Sequence, residues 1–157
     1  MRALIVCMSV YYGNTEKIAK AIAEVLKAYV VRPHEVNVEE FCEYDLIGFG
    51  SGIYFGKHHK SIFDLLDRIG YQHGKHAFIF STSGIRVSWL FDFHKALRRK
   101  LMEKGFIILG EFNCKGFTVH PSILKVIGGL NKGRPNENDL KAARDFAKQL
   151  MICIAAK

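Results

Sequence analysis

Cysteine, proline and tryptophan are scarce in this chain: its 157 residues include four Cys, three Pro and one Trp. The cysteines, Cys7, Cys42, Cys114 and Cys153, stand far apart without the paired spacing of metal ligands, which argues against a cysteine metal site or a disulfide scaffold. Cys7 and Cys114 fall inside strand-like segments and are expected to be buried reduced thiols. No Pro-, Gly- or Ser-rich stretch marks a linker, and the length suits one domain, 1–157, with a substantial core. Long apolar runs are missing too. None reaches the roughly 18 to 20 residues of a membrane span, and no signal-peptide layout precedes the first strand pattern, so the expected compartment is the cytoplasm.

Acidic residues are short in one half only. Residues 1–78 hold 9 Lys+Arg against 9 Asp+Glu and residues 79–157 hold 14 against 6, so the whole net charge of +8 lies in the second half. Such asymmetry suits a partner of opposite sign: an acidic protein, a phosphorylated ligand, an anionic membrane surface touched from outside, or nucleic acid. Lys95, Arg98, Arg99, Lys100 and Lys104 read equally well as the solvated face of a helix. No recognised nucleic-acid motif is present.

What is present is an alternation of strand and helix patterns, the mark of an α/β domain with a parallel sheet. Leu4–Cys7 reads as a first strand, and Ile18, Ala19, Ile22, Ala23, Leu26 and Tyr29 recur at helical spacing with Lys17, Lys20, Glu24 and Lys27 on the wet face. Val36–Val38 is expected as an edge strand and Asp45–Gly50 as a central one. Ser51–Lys60 reads as a loop, Ser61–Ile69 as a helix, and His76–Ser81 as the fourth strand. Trp89–Lys104 carries a helical period closed by Gly105. Phe106–Leu109 with Glu111–Cys114 gives a fifth strand interrupted at Gly110, and Asn136 caps a last helix. Five strands in this sequence suit a doubly wound sheet of order 2-1-3-4-5, whose ligand crevice lies at the carboxyl ends of the strands.

Three loops meet there. In Ser9-Val10-Tyr11-Tyr12-Gly13-Asn14-Thr15, a hydroxyl- and glycine-rich turn leads into a helix whose first N–H groups have no partner within the helix and sit at the positive end of its dipole, an arrangement that holds a phosphate. Gly13 permits close approach, and Ser9, Asn14 and Thr15 offer side-chain donors. The loop lacks the Lys of the G-x-x-x-x-G-K-[ST] order and has one glycine where a dinucleotide turn wants three, which leaves a site for a single phosphate held by neutral donors. In the second loop Gly52, Ile53, Tyr54, Phe55, Gly56 and Lys57 combine glycines with aromatics, as a flat amphipathic ring needs on its edge and face. In the third, Thr82, Ser83 and Gly84, followed by Arg86, offer polar partners for one edge of such a ring. Trp89 reads as core or as a cover for its second face.

These loops, with the continuation Gly13-Asn14-Thr15-Glu16-Lys17-Ile18-Ala19, resemble the flavodoxin family, although Ser9 stands four residues before Gly13 where many members carry the hydroxyl at the position of Val10. The resemblance implies a flavodoxin-like three-layer sandwich binding FMN noncovalently, which carries electrons between redox partner proteins while the protein sets the potentials. Flavodoxins are usually acidic and this chain is basic, so an acidic redox partner is expected. Lys57, Lys60, Arg86 or a protonated His58 near the ring would favour its reduction. The segment Gly52–His59 is also similar to the quinone-dependent protoporphyrinogen oxidase branch, which implies as an alternative an FMN-dependent oxidoreductase acting on a quinone or a porphyrinogen. His58 and His59 would then be candidate proton carriers, and otherwise solvated loop residues. A response-regulator receiver of the same sheet order is excluded, because Met8-Ser9 stands where an acidic cluster is required.

Overall fold

The computed structural model describes residues 1–84, 91–118 and 128–156. In chain order these form β1 (Ala3–Met8), α1 (Asn14–Leu26), β2 (Tyr29–Val31), a 3-10 turn (Val38–Glu43), β3 (Leu46–Tyr54), β4 (Lys57–His58), α2 (Lys60–Arg68), β5 (His76–Ser83), α3 (Lys95–Glu103), β6 (Ile107–Lys115) and α4 (Glu137–Ala155). Five strands pair in parallel in the order β2-β1-β3-β5-β6, and β4 folds back antiparallel on β3. With the hairpin strand set aside, this is the doubly wound order expected from the sequence.

The faces of the sheet carry separate cores. Ile5, Phe78 and Phe80 pack with Ile18 and Ile22 of α1 and Ala143 and Ala147 of α4, while Val6, Ile47, Phe49 and Ile79 pack with Leu65 and Leu66 of α2 and Leu97 and Leu101 of α3. Alternation along the strands produces this division, since successive side chains point to opposite faces. Glycine in β3 makes the first core possible. A Cβ on Gly48 would lie 2.2 Å from the Phe78 ring and one on Gly50 2.3 Å from the Phe80 ring, so both rings lie across the β3 backbone where no side chain could fit. Cys7 and Cys114 are buried as expected. Burial, with Glu16 adding to it, pushes the Cys7 thiol up to about 12, which keeps it protonated and inert.

Several boundaries differ from the sequence pattern. The second strand is Tyr29–Val31 rather than Val36–Val38, because Lys27 adopts a left-handed conformation (φ 51°) that ends α1 and returns the chain directly alongside β1. Val38 instead opens the 3-10 turn, which Asn37 caps by accepting from the Glu39 N–H at 3.2 Å. β3 continues past Gly50 to Tyr54 and turns through Phe55 and Gly56, both at positive φ (51° and 77°), into β4. That two-residue turn has the sign pattern of a type I′ hairpin, so much of the expected loop is strand. α3 begins at Lys95; the first part of the helical period expected from Trp89, like Arg86 and Trp89 themselves, lies outside the described residues. The expected break in the fifth strand is a bulge: Ala77 pairs with Ile108 and Phe78 with Gly110, leaving Leu109 as the extra residue. Asn136 caps α4 in a reciprocal capping box with Asp139.

Among the described residues no helix is long and apolar enough to cross a membrane.

Candidate functional site

The carboxyl ends of β1, β3, β5 and β6 open into one small cavity of about 70 Å³. Nine of the residues singled out in the sequence line it: Tyr11, Asn14, Thr15, Gly52, Ile53, Tyr54, Thr82, Ser83 and Gly84. Wider hollows lie elsewhere, one of about 570 Å³ at the opposite, amino-terminal end of the strands beside Asp45 and His76, away from the switch point where open α/β sheets bind ligands.

The first loop is shaped by two consecutive left-handed residues, Tyr12 (φ 58°) and Gly13 (φ 64°), and Gly13 occupies the N-cap position of α1. Among the described residues no side chain caps this end, so the amides of the first turn stay available to an anion. A Cβ on Gly13 would meet nothing within 4 Å among the described residues; the need for glycine there is one of backbone conformation and open approach. Ser9, half-buried, and the exposed Tyr12 belong to this turn without lining the cavity.

Two expected ligand residues act as ties between loops. Thr15 and Thr82 are buried and share a hydrogen bond between their hydroxyls at 2.8 Å, which joins the first loop to the third. Asn14 Nδ2 donates to the carbonyl of Phe117 at 2.7 Å, which joins the first loop to the segment after β6. That fourth segment, Gly116, Phe117 and Thr118, lines the cavity and was missed in the sequence. A signal existed: Gly116-Phe117 repeats the glycine-aromatic pairing of the strand-three loop at the carboxyl end of the last strand. Tyr54 spans the cavity mouth, its hydroxyl accepting from the Val10 N–H at 3.3 Å and its ring 6.2 Å from that of Tyr11. Burial pushes its phenol up.

Phe55, Gly56 and Lys57 do not join the cavity. Phe55 projects fully into solvent at the hairpin turn, and Gly56 and Lys57 line a separate open hollow of about 490 Å³ with Phe63, Phe93 and Lys95. The cations of α3 are largely engaged within the chain: Arg98 pairs with Asp92 and Glu111, Arg99 with Glu103, Lys100 with Asp67, and Lys104 donates to the Ile69 carbonyl.

The two histidines expected as solvated loop residues have structural partners. His59 caps α2 by accepting from the Ser61 N–H at 3.2 Å. His58 is only 4% exposed, with Nδ1 3.0 Å from the Ser51 hydroxyl, because the β3–β4 hairpin folds it onto the sheet. Burial first, then the nearby His94, push its imidazole down to about 3, against an opposing pull from Glu111. It is therefore neutral at pH 7 and is not the cation expected near the ring. Lys60 is also drawn away, into a pair with Asp64.

Beneath the cavity floor lies a polar row. Ser51, Ser81 and Asn113 sit at matching register on β3, β5 and β6, and His58 and His94 cover them with ring centroids 5.1 Å apart. His94 Nε2 is 2.7 Å from Ser81 Oγ, and His94 Nδ1 is 2.9 Å from Glu111 Oε2. Burial opposes ionisation of Glu111, yet hydrogen bonds from Arg98 and His94 outweigh it and hold the carboxyl down at about 2.

Comparison with known proteins agrees with the architecture. A flavodoxin domain family model matches residues 4–102. An uncharacterized protein of Methanocaldococcus jannaschii is 54% identical over 151 residues, spanning 96% of this chain and 99% of the relative. Among solved structures, a flavodoxin from the domain Archaea is 20% identical with a TM-score of 0.67, covering 96% of this chain and 99% of its own. Streptococcus pneumoniae flavodoxin is 21% identical with a TM-score of 0.69 over 97% and 99% of the two chains. Rubredoxin:oxygen oxidoreductase of Desulfovibrio gigas is 16% identical with a TM-score of 0.74, and there the match covers 99% of this chain and 36% of that one. A loop that turns through Tyr12 and Gly13 onto an uncapped helix, at the switch point of a 2-1-3-4-5 sheet, agrees with what the family model finds: the chain belongs to the flavodoxin domain family.

Proposed function

We propose that this chain is a single cytoplasmic domain that binds FMN noncovalently and passes electrons between redox partner proteins. The observation that carries this reading is the convergence on one cavity of an uncapped helix N-terminus and two glycine-bearing loops, from β3 and β5. The phosphate end fits the first loop as it stands. The amides around Gly13 and Asn14 would hold the phosphate, with the Ser9 hydroxyl on the same turn and Thr15 tying that turn to β5. Gly52–Tyr54 and Thr82–Gly84, with Gly116 and Phe117, would face the ring, while Phe55, Gly56 and Lys57 would lie at its outer margin. A cavity of about 70 Å³ is small beside the ~300 Å³ or more usual for such ligands. Tyr11 and Tyr54, which close the mouth, must therefore swing aside for the ring to enter.

The bound flavin would supply one- and two-electron redox chemistry. The chain's own residues bind, orient and shield: backbone amides fix the tail, hydroxyls and glycines set the ring's edge, and aromatic side chains exclude water. Lys57 and Lys95, with the cation excess of the second half, favour an acidic redox partner docking beside the hairpin turn. The oxidoreductase alternative would need a proton donor that meets a bound quinone or porphyrinogen, and neither the buried His58 nor His59, which caps α2, lines the cavity.

Uptake of FMN and of riboflavin, followed by quenching of flavin fluorescence, tests the reading. FMN is expected to bind at least tenfold more tightly, because only FMN carries the phosphate. Equal affinity would remove the phosphate from the first loop, and no uptake of either would overturn the function.

A further inference from the structure

We propose that the His58–His94 pair takes up one proton when the adjoining cavity takes up negative charge, which ties reduction at that cavity to pH. This deepens the reading above and rests on it. On the face of the sheet that α2 and α3 cover, the apolar layer of Phe49 and Ile79 gives way at the carboxyl end to Ser51, Ser81 and Asn113. Two imidazoles close over that row, His58 at 4% exposure and His94 at 1%. Burying two imidazoles side by side, where apolar side chains would pack, is unfavourable for any ring nitrogen left without a hydrogen bond.

The hydrogen-bond order shows where a proton can go. Glu111 is held as a carboxylate, so His94 Nδ1 donates to it, which leaves His94 Nε2 to accept from Ser81 Oγ, itself accepting from Asn113 Nδ2 at 2.8 Å. The sequence carboxylate, imidazole, hydroxyl resembles a nucleophilic triad, but Ser81 is wholly buried and no substrate reaches it. Ser51 Oγ has one proton, and its bond to the Gly52 carbonyl at 2.7 Å uses it. His58 Nδ1–H must then donate to Ser51, which leaves His58 Nε2 as a buried lone pair without a partner among the described residues. The pair thus contains an idle acceptor beside a ring already anchored to a carboxylate.

Charge supplies the driving force. Among the described residues, the charged groups hydrogen-bonded to His94 are Glu111 from β6, through Nδ1, and Asp92 from the segment before α3, through the backbone N–H, and Arg98 from α3 bonds both carboxylates; β3 and β5 contribute hydroxyls. Among the described residues, the one cation and two anions of this hydrogen-bonded cluster sum to −1, and a single proton on the pair brings it to zero. Two protons would oppose one another across 5.1 Å, so the pair holds one. The link to the cavity is short: Ser51 precedes Gly52, Ser81 precedes Thr82, and Asn113 Nδ2 reaches Ser83 Oγ at 3.0 Å, with Gly52, Thr82 and Ser83 all lining the cavity. Negative charge arriving there raises the pair's affinity for a proton through a low-dielectric layer. Only a proton moves, from solvent onto a ring nitrogen; the electrons come from an external reductant, and no protein bond is oxidised or reduced.

The test uses FMN-loaded protein with dithionite as reductant. Uptake of FMN is measured first, and its absence would refute the flavin reading itself. With uptake established, 15N shifts of both imidazoles at pH 7 are compared before and after reduction. A larger protonated fraction of the pair after reduction is expected, and identical shifts overturn the inference while leaving the flavin reading intact. Titration of the midpoint potential from pH 5 to 9 gives a second readout. His94→Gln, which keeps hydrogen bonding without titrating, should lose up to a tenfold change in the equilibrium constant per pH unit relative to wild type. Glu111→Gln should move the pH-dependent range to lower pH, and wild-type pH dependence in both variants would also overturn the inference.

Discussion

The hydroxyl pair of Thr15 and Thr82 allows a quantitative test of how the site is held together. The oxygens are 2.8 Å apart and both residues are buried, at 1% and 5% exposure. Thr15→Val keeps the branched shape and deletes one partner, which leaves the Thr82 hydroxyl buried without its bond; the expected loss is about 1–3 kcal/mol. Thr82→Val should cost a similar amount. The double variant removes both polar groups, so its loss should lie near that of one single variant and well below the sum, a coupling of about 1–3 kcal/mol. Urea titration at pH 7 measures all four corners of the cycle, and each kcal/mol corresponds to about 2–4 °C in Tm for a chain of this length. The single variants should also weaken FMN, because the tie fixes the first loop against the third. Additive losses, or single variants within about 0.3 kcal/mol of wild type, would show that the contact does not hold these loops together.

Other outcomes follow from the same structure. Gly50→Ala forces a Cβ to within 2.3 Å of the Phe80 ring and should destabilise the fold by about 1–3 kcal/mol, read as a lower urea midpoint. Acid should weaken the fold in two stages. His58 is held neutral with its folded value near 3, so its contribution is present above about 6.5 and is lost as pH falls from there towards 3. Glu111, held down at about 2, contributes above its ordinary 4.5 and is lost as pH falls through that lower range. Urea midpoints at pH 7, 5.5 and 4 should therefore decline, and His58→Leu should flatten the step between 7 and 5.5. Lys57→Glu with Lys95→Glu should slow electron transfer to an acidic redox protein and reduce its salt dependence, read by stopped-flow at two ionic strengths. Unchanged rates would place docking elsewhere.

The sequence pattern carried the sheet order and most of the cavity, because both depend on local signals: apolar period, and glycine with hydroxyl residues at strand ends. Asn136 was legible for the same reason, since a cap acts within one turn. β2 was misplaced because the left-handed turn at Lys27 has no glycine to announce it. The burial of His58 could not be read, because it depends on a hairpin whose turn begins with Phe55 at positive φ, a conformation that side chain does not advertise. Nor could the roles of Asn14 and Thr15: donors suited to a ligand are equally suited to a neighbouring loop, and only the three-dimensional arrangement chooses.

The two edges of the sheet formed by the described residues guard against unwanted pairing in different ways. β2 is three residues long and offers too few backbone groups to template another chain. β6 is nine residues long and would be a hazard, but the extra residue at Leu109 spoils its register a third of the way along, and Glu111, tied to Arg98 and His94, follows almost at once. An incoming strand would have to accommodate both the kink and a committed carboxylate. The residue that anchors the buried histidines thus also helps keep this chain from growing into a larger sheet.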